Sequence, residues 1–435
     1  MKKYLVSFIL FSNDILVLVA IFYLTLAVRS SIYTTYIANF STLALKDFIF
    51  VIITISMLMF YEKIYTLRYD FWQDTKKVLK ALTLAYFIVL AFLTILKTSL
   101  EYSRLFISLY FFFAFFMIPI SKRFMKKLIY KFSFFKQNVF ILGDQEQVST
   151  FEKEFHDNWY IGMKYNKEKY DTVIIFSKGM HVDEVNKNIA KYLNKKSTVY
   201  MVPYVKDINF SNSEILEYSN IRYNTLQIEN KLLLKSNIWI KNIFDFIAVL
   251  LIFPLFILIH LILSLLIRLD SKGSIFFKQY RLGKNNQSFV CYKYRSMHED
   301  SELLLKNYLL SHRDEVEHYE KYHKYKNDPR ITKIGKILRA TSLDEVAQLI
   351  NVLKGEMSLV GPRPYMVSES DKLGENLDFI LKVKPGITGL WQVSGRNNLT
   401  FKERNDLEVW YIKNWSLWSD FIILIKTIKV VFLKA

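Results

Sequence analysis

Four long apolar runs lie within the first 120 residues, and they restrict the possible folds more than any other feature. The runs are Leu5–Ala27, roughly Phe40–Phe60, Val78–Leu96 and Leu105–Ile120. The first, third and fourth are near the 17–25 residues that a helix needs to cross a bilayer. The second is the weakest, because Lys46 and Asp47 interrupt it. No small-residue cleavage site follows the first run, and further runs come after it, which argues against a cleaved signal peptide. Nearly uncharged runs of this length also set the chain apart from a soluble helical bundle.

The charge of the chain points the same way. The net charge is +19, from 59 basic and 40 acidic residues, and residues 1–137 alone contribute +11. Cationic excess is therefore densest in the most apolar third, as at a membrane surface. No arginine-rich arm, zinc finger or RRM-type motif suggests nucleic acid. The lone Cys291 excludes a disulfide scaffold and a cysteine-based zinc site. Loop charges predict orientation. Lys2 and Lys3, then Lys63, Arg68, Lys76 and Lys77, then Lys122, Arg123, Lys126, Lys127, Lys131 and Lys136 mark the cytoplasmic side. Both ends of the four-run segment then face the cytoplasm.

From residue 138 the pattern changes to alternating strand and helix. Asn138–Leu142, Thr172–Phe176 and Thr198–Val202 read as strands, with helices near Gln145–His156 and Val182–Leu193. This predicts a small α/β unit with a parallel sheet. Its first turn, Gly143-Asp144-Gln145-Glu146-Gln147, has one glycine where a dinucleotide fingerprint needs three. The unit reads as a degenerate Rossmann-like module without bound NAD.

A fifth apolar run, Phe246–Ile267, is long enough to span. Basic residues flank it on both sides: Lys231, Lys235 and Lys241 before, and Arg268, Lys272, Lys278 and Arg281 after. A crossing helix should show asymmetry. Pro254 lies near its middle and lacks an amide donor, so a break is expected at Phe253-Pro254. A re-entrant helix, over about residues 240–267, accommodates both facts; a simple kinked span is the other reading.

The remaining sequence concentrates backbone punctuation: nine of twelve glycines and four of seven prolines lie from Gly273 onward. Phe276–Gly283 and Phe289–Met297 suggest a short hairpin bearing Lys278, Arg281, Lys293 and Arg295. Ser342-x-x-Glu345 predicts a capping box that opens a helix through Leu353. Asp344 then falls in the first helical turn, where free amides keep a carboxylate ionised and favour phosphate. Arg339 stands five residues earlier and could neutralise developing phosphate charge. Gly361-Pro362-Arg363-Pro364 fixes a loop with one guanidinium, suited to bidentate phosphate contact. Pro385–Arg396 is a second turn-rich loop with an arginine at its end. Trp415–Leu433 fits either an interfacial helix or a packed core helix. His298, His312, His318 and His323 sit in one charged stretch and read as solvated.

Arg339…Ser342-Leu343-Asp344-Glu345…Asn351-Val352-Leu353-Lys354-Gly355…Met357–Pro364, with Pro385–Arg396 and the tail Trp410–Asp420, resembles the bacterial sugar transferases. These are the monotopic polyprenyl-phosphate phosphoglycosyltransferases. The likeness covers roughly residues 236–435, and the preceding spans and α/β module resemble the long form, of the undecaprenyl-phosphate galactose phosphotransferase type. The resemblance implies transfer of a sugar-1-phosphate from a UDP-sugar to undecaprenyl phosphate, with release of UMP. It implies Asp344 as nucleophile, forming an aspartyl-phosphosugar, and Glu345 as ligand or base. Mg²⁺, or Mn²⁺, would be held by Asp344 and Glu345. Lys293, Arg339, Arg363 and Arg396 match the family's basic positions, and Arg295 joins them as a candidate phosphate ligand. Phe253-Pro254 matches the re-entrant break, although the family commonly has Ser before this Pro.

The expected architecture is a membrane protein in three parts. Residues 1–137 form a four-helix transmembrane bundle, 138–230 the degenerate Rossmann-like α/β domain, and 231–435 a mainly α catalytic domain with a short β-hairpin and the re-entrant helix. Expected partners are a UDP-sugar, undecaprenyl phosphate, the bilayer of the bacterial inner membrane and a second copy of the chain, with no nucleic acid. Two other readings are an inverting glycosyltransferase, for which no D-x-D motif is found, and a non-enzymatic scaffold of polysaccharide assembly. The sugar itself is not legible.

Overall fold

The apolar runs become helices. The computed structural model describes residues 2–32, 44–95, 104–193, 198–204, 210, 213–218, 223–312, 328–395 and 399–432. Four helices open the chain: α1 (Lys2–Ile32), α2 (Leu45–Tyr61), α3 (Phe71–Ile95) and α4 (Arg104–Lys131). Phe48, Phe106 and Tyr110 are fully buried among them and meet edge to face, with ring centroids 4.7–5.4 Å apart. Large apolar side chains also point outward, including Phe8, Leu16, Met57 and Phe87. Such a surface suits lipid rather than water. Among the described residues, α1, α3, α4 and a later helix are long and apolar enough to span a membrane. At 17 residues α2 measures about 26 Å, just short of the hydrocarbon thickness.

The bundle buries charges that the loop count treated as a cytoplasmic flank. Lys122 Nζ pairs with Asp14 at 2.8 Å and Lys126 Nζ with Asp74 at 2.6 Å, all four side chains almost fully buried. The Tyr65 hydroxyl donates to Asp14 at 2.9 Å, and Tyr160 donates to Asp74 at 2.7 Å. A buried ion needs a partner and further hydrogen bonds to offset its desolvation, and these four groups supply both.

The α/β segment has a four-stranded parallel sheet of order β2-β1-β3-β4, formed by β1 (Gln137–Leu142), β2 (Met163–Tyr165), β3 (Thr172–Phe176) and β4 (Val199–Val202). Helices α5 (Gln145–Asp157) and α6 (Val182–Leu193) connect it. Within this sheet β2 is the strand that the sequence does not predict, since three residues show no alternation; the hairpin of Glu214–Tyr218 with Tyr223–Gln227 is likewise not predicted. Asp144 caps α5, accepting from Gln147 N at 2.8 Å, and Gln147 Oε1 accepts from Asp144 N.

The chain packs as two compact units, residues 1–205 and 206–435. The second begins with an antiparallel hairpin, β5 (Glu214–Tyr218) with β6 (Tyr223–Gln227), and then α7 (Lys235–Asp270). The break expected at Phe253-Pro254 is not there: α7 is helical throughout its 36 residues. A proline removes one helical hydrogen bond and bends its helix, while neighbouring turns keep theirs; α4 likewise continues through Pro119. One stripe of α7, including Asp245, Val249, Phe256, Leu263 and Ile267, is buried against its own unit. The rest, such as Trp239, Leu251, Leu255 and Leu261, is exposed and apolar.

Both ends of α7 are tied down. Lys241 pairs with Asp420, which also accepts from Tyr411 OH at 2.7 Å and Trp415 Nε1 at 2.9 Å. Asp245 accepts from Ser358 Oγ at 2.6 Å. At the far end, Asp270 accepts from Ile334 N at 2.9 Å. The tail motif is thus scaffold: its Trp415 is buried, and helix Leu417–Phe432 packs one face while exposing Phe421, Ile425 and Ile428.

Candidate active site

The hairpin of β7 (Phe276–Leu282) and β8 (Ser288–Tyr294) pairs Phe277 with Lys293, Gln279 with Cys291 and Arg281 with Phe289. Residues directly opposite in an antiparallel pair share a face, so Arg281, Cys291 and Lys293 lie on one side. Tyr292 and Tyr294 lie on the other and pack with Phe276; Tyr294 OH is 2.9 Å from His260 Nδ1 of α7.

Helix α8 (Ser301–Ser311) follows, and then α9 (Lys333–Thr341), capped by Thr332 Oγ1 accepting from Gly335 N at 2.9 Å. Gly335 allows α9 to approach the hairpin: a Cβ there would sit 2.1 Å from Ser296 O. That contact brings Arg339 Nε to Ser296 Oγ at 2.9 Å.

The expected capping box does not form. Ser342 has φ 58°, ψ 20°, in the left-handed region, and ends α9. An N-cap needs extended backbone. Leu343–Gln348 is a 3₁₀ turn, and only Leu349–Leu353 (α10) is α-helical. Glu345 is drawn away from Ser342 by Lys293, whose Nζ lies 2.7 Å from its Oε1. At three residues per turn, Asp344 and Glu345 point about 120° apart. Asp344 borders one cavity of about 640 Å³ with Lys293, Arg295 and Arg339, and another of about 530 Å³. Glu345 borders the latter and a third of about 210 Å³, with Arg281, Lys293 and Arg363.

Asp344 is not simply held ionised. Burial pushes its carboxyl above the usual aspartate range; Lys293 opposes this, Glu345 adds to it, and Arg339 opposes it again. Desolvation of the charged form outweighs the neighbouring cations.

The two turn-rich loops use their glycines on each other. Parallel strands β9 (Ser358–Val360) and β10 (Gly386–Thr388) place Gly361 N on Thr388 O at 2.9 Å and Gly386 N on Pro362 O at 2.8 Å. A Cβ on Gly386 would lie 2.0 Å from Gly361 N. The pair fixes Arg363, whose amide donates to Glu408 at 2.7 Å and whose Nη2 lies 3.4 Å from Glu369.

Lys293, Arg339, Arg363, Asp344 and Glu345 are therefore brought around adjoining cavities. Arg295 borders the first, but its Nη2 donates to Ser271 O at 2.7 Å at the end of α7, a structural duty that its motif did not reveal. Arg396 lies outside the described residues. Phe253 and Pro254 line none of these three cavities. Arg281, a flanking and hairpin cation in the sequence, also faces the Glu345 cavity; the strand alternation that puts it on the face of Lys293 is the available signal. Among the described residues, no group of three His, Cys, Asp or Glu side chains could hold a metal.

The bacterial sugar transferase family profile matches residues 236–434, which include every element of this site. A Haemophilus influenzae protein named as an uncharacterized sugar transferase is 32% identical over 84% of this chain and 84% of its own length. The undecaprenyl-phosphate galactose phosphotransferase of Salmonella typhimurium is 30% identical over 90% of this chain and 87% of its own.

This chain belongs to the bacterial sugar transferase family.

A UDP-galactose-lipid carrier transferase of Erwinia amylovora is 32% identical over 84% of this chain and 83% of its own length. Likeness over most of the length extends to the helices before the family segment. The chain is a membrane-associated transferase of this family.

Proposed function

We propose that this enzyme transfers a sugar-1-phosphate from a UDP-sugar to undecaprenyl phosphate at the cytoplasmic face of the bacterial inner membrane. The observation that carries the reading is Asp344, a carboxylate between Lys293 and Arg339 at the junction of two cavities. An Asp344 oxygen attacks the β-phosphorus of the UDP-sugar. The bond from that phosphorus to the bridging oxygen breaks, and UMP leaves with the electron pair. A phosphate oxygen of the acceptor then attacks the same phosphorus and frees Asp344. Lys293 and Arg339 offset charge on the transferring phosphoryl group, and Arg281 and Arg363 hold phosphate oxygens from the Glu345 side.

Two adjacent carboxylates suit Mg²⁺, which binds through one or two carboxylates plus substrate phosphates and keeps several waters. Held by Asp344 and Glu345, it would supply charge neutralisation at the pyrophosphate. Helix α7 serves as a membrane anchor whose two ends stay on one face. Basic residues at both its ends, and its ties at Lys241 and Asp270 to a single folded unit, support this.

The test uses purified full-length protein with undecaprenyl phosphate, Mg²⁺ and a panel of UDP-sugars, with UMP as readout. UMP appears with at least one donor, and Asp344→Asn abolishes it together with covalent labelling by radiolabelled UDP-sugar. Absence of UMP with every donor overturns the reading; labelling of the Asn variant overturns the nucleophile.

A further inference from the structure

The two cavities that share Asp344 differ in chemistry. The first holds four cations, Lys278, Lys293, Arg295 and Arg339, beside the rings of Phe276, Phe277 and Tyr294. The second has Arg339 as its one cation among the described residues, with Asp344 and Glu345, and the aliphatic side chains Leu343, Val346, Leu349, Leu359, Ile387 and Leu424. Thr388 and Thr427 also border it, but their hydroxyls bond each other at 2.8 Å. A lining of this kind, charged at Arg339, Asp344 and Glu345 and mainly aliphatic elsewhere, with Thr341, Ser342 and Gln392 as further polar groups, complements an amphiphile with an anionic head.

Two observations extend the match. Trp391 borders the second and third cavities and is about nine-tenths buried; its Nε1 has no acceptor among the described residues, while Arg404 covers the ring at 5.1 Å. An indole N–H only donates, and a buried donor is ordinarily satisfied, so an oxygen of a bound ligand is a fitting partner. Beyond Leu424, the same helix carries Phe421, Ile425 and Ile428, all exposed, at the spacing of one helical stripe. The apolar lining thus continues to a lipid-compatible surface.

We infer that the second cavity is the acceptor subsite: it seats the first isoprene units of a polyprenyl phosphate, with the phosphate towards Asp344 and Arg339 and Trp391 Nε1 donating to one of its oxygens. The donor nucleotide keeps the first cavity. This rests on the function proposed above and divides its two substrates between two sides of one carboxylate.

A polyprenyl phosphate with a diazirine on its first isoprene units is photolysed with the wild-type protein, and the labelled peptides are mapped. Label is expected in Leu343–Leu349, Ile387–Gln392 or Leu417–Phe432, and excess undecaprenyl phosphate suppresses it. Label confined to the exposed face of α7, or label that the acceptor does not displace, overturns the subsite. Leu424→Glu raises the KM for undecaprenyl phosphate at least tenfold and that for the UDP-sugar less than twofold. Equal rises in both, or none, also overturn it. Exchange of labelled UMP into UDP-sugar needs no acceptor. Its absence in wild type indicts the proposed reaction, whereas exchange without the mapped label indicts the subsite alone.

Discussion

Asp344 illustrates how a residue's chemistry depends on groups far away in sequence. Lys293 lies 51 positions upstream and is the main group opposing the effect of burial on its carboxyl. A nucleophilic carboxylate must be ionised, so activity should fall on the acid side at a pH above the ordinary aspartate range. Replacing Lys293 by Met removes the stronger opposing charge. The acid limb of kcat/KM is then expected to move to still higher pH, and further than in Arg339→Met; a limb that stays put would show that Asp344 does not limit it. Ser342 carries the complementary lesson. Its Ser-x-x-Glu spacing is that of a capping box, but a left-handed backbone and a lysine on another element decide otherwise.

At the scale of elements, the helix Phe401–Lys413 holds the Arg363 loop through Glu408. This side chain is almost fully buried, accepts from Arg363 N at 2.7 Å and bonds the Tyr365 hydroxyl. Burial pushes its carboxyl from 4.5 up to about 7, against both hydrogen bonds. The folded state thus binds this proton more tightly than the unfolded chain. The stabilisation is complete below 4.5 and is lost as pH rises through about 7, by up to about 3 kcal/mol. Thermal unfolding in detergent should show stability falling over this window in wild type and a flatter profile in Glu408→Gln. Element boundaries were legible where periodicity was long, as in α5, α6 and β3. They were not legible at Pro254, because neighbouring hydrogen bonds and packing of α7 outweigh one missing donor.

For the whole molecule the question is which side of the membrane the site occupies. Cys291 is buried and its thiol is pushed up to about 11, so the native cysteine is a poor target for maleimides. A cysteine at exposed Leu303 is expected to react with an impermeant maleimide in inverted membrane vesicles and not in intact cells. Labelling from outside would instead make α7 a crossing helix. Lys122 and Lys126 are neutralised inside the bundle, so the remaining flanking cations carry the orientation.

The sequence by itself determined what is local: apolar runs of spanning length, alternation of strands and helices in the α/β segment, and motif residues that mark the family. Runs and periods are set by neighbours along the chain, so they can be read there. Only the tertiary structure decided that Gly361 and Gly386 lock two loops backbone to backbone, that Arg281 joins Lys293 and Arg363 around Glu345, and that Leu343, Ile387 and Leu424 wall one cavity beside Asp344. These are distances between residues tens of positions apart. Packing sets them, with burial and pairing of charges deciding which side chains turn inward.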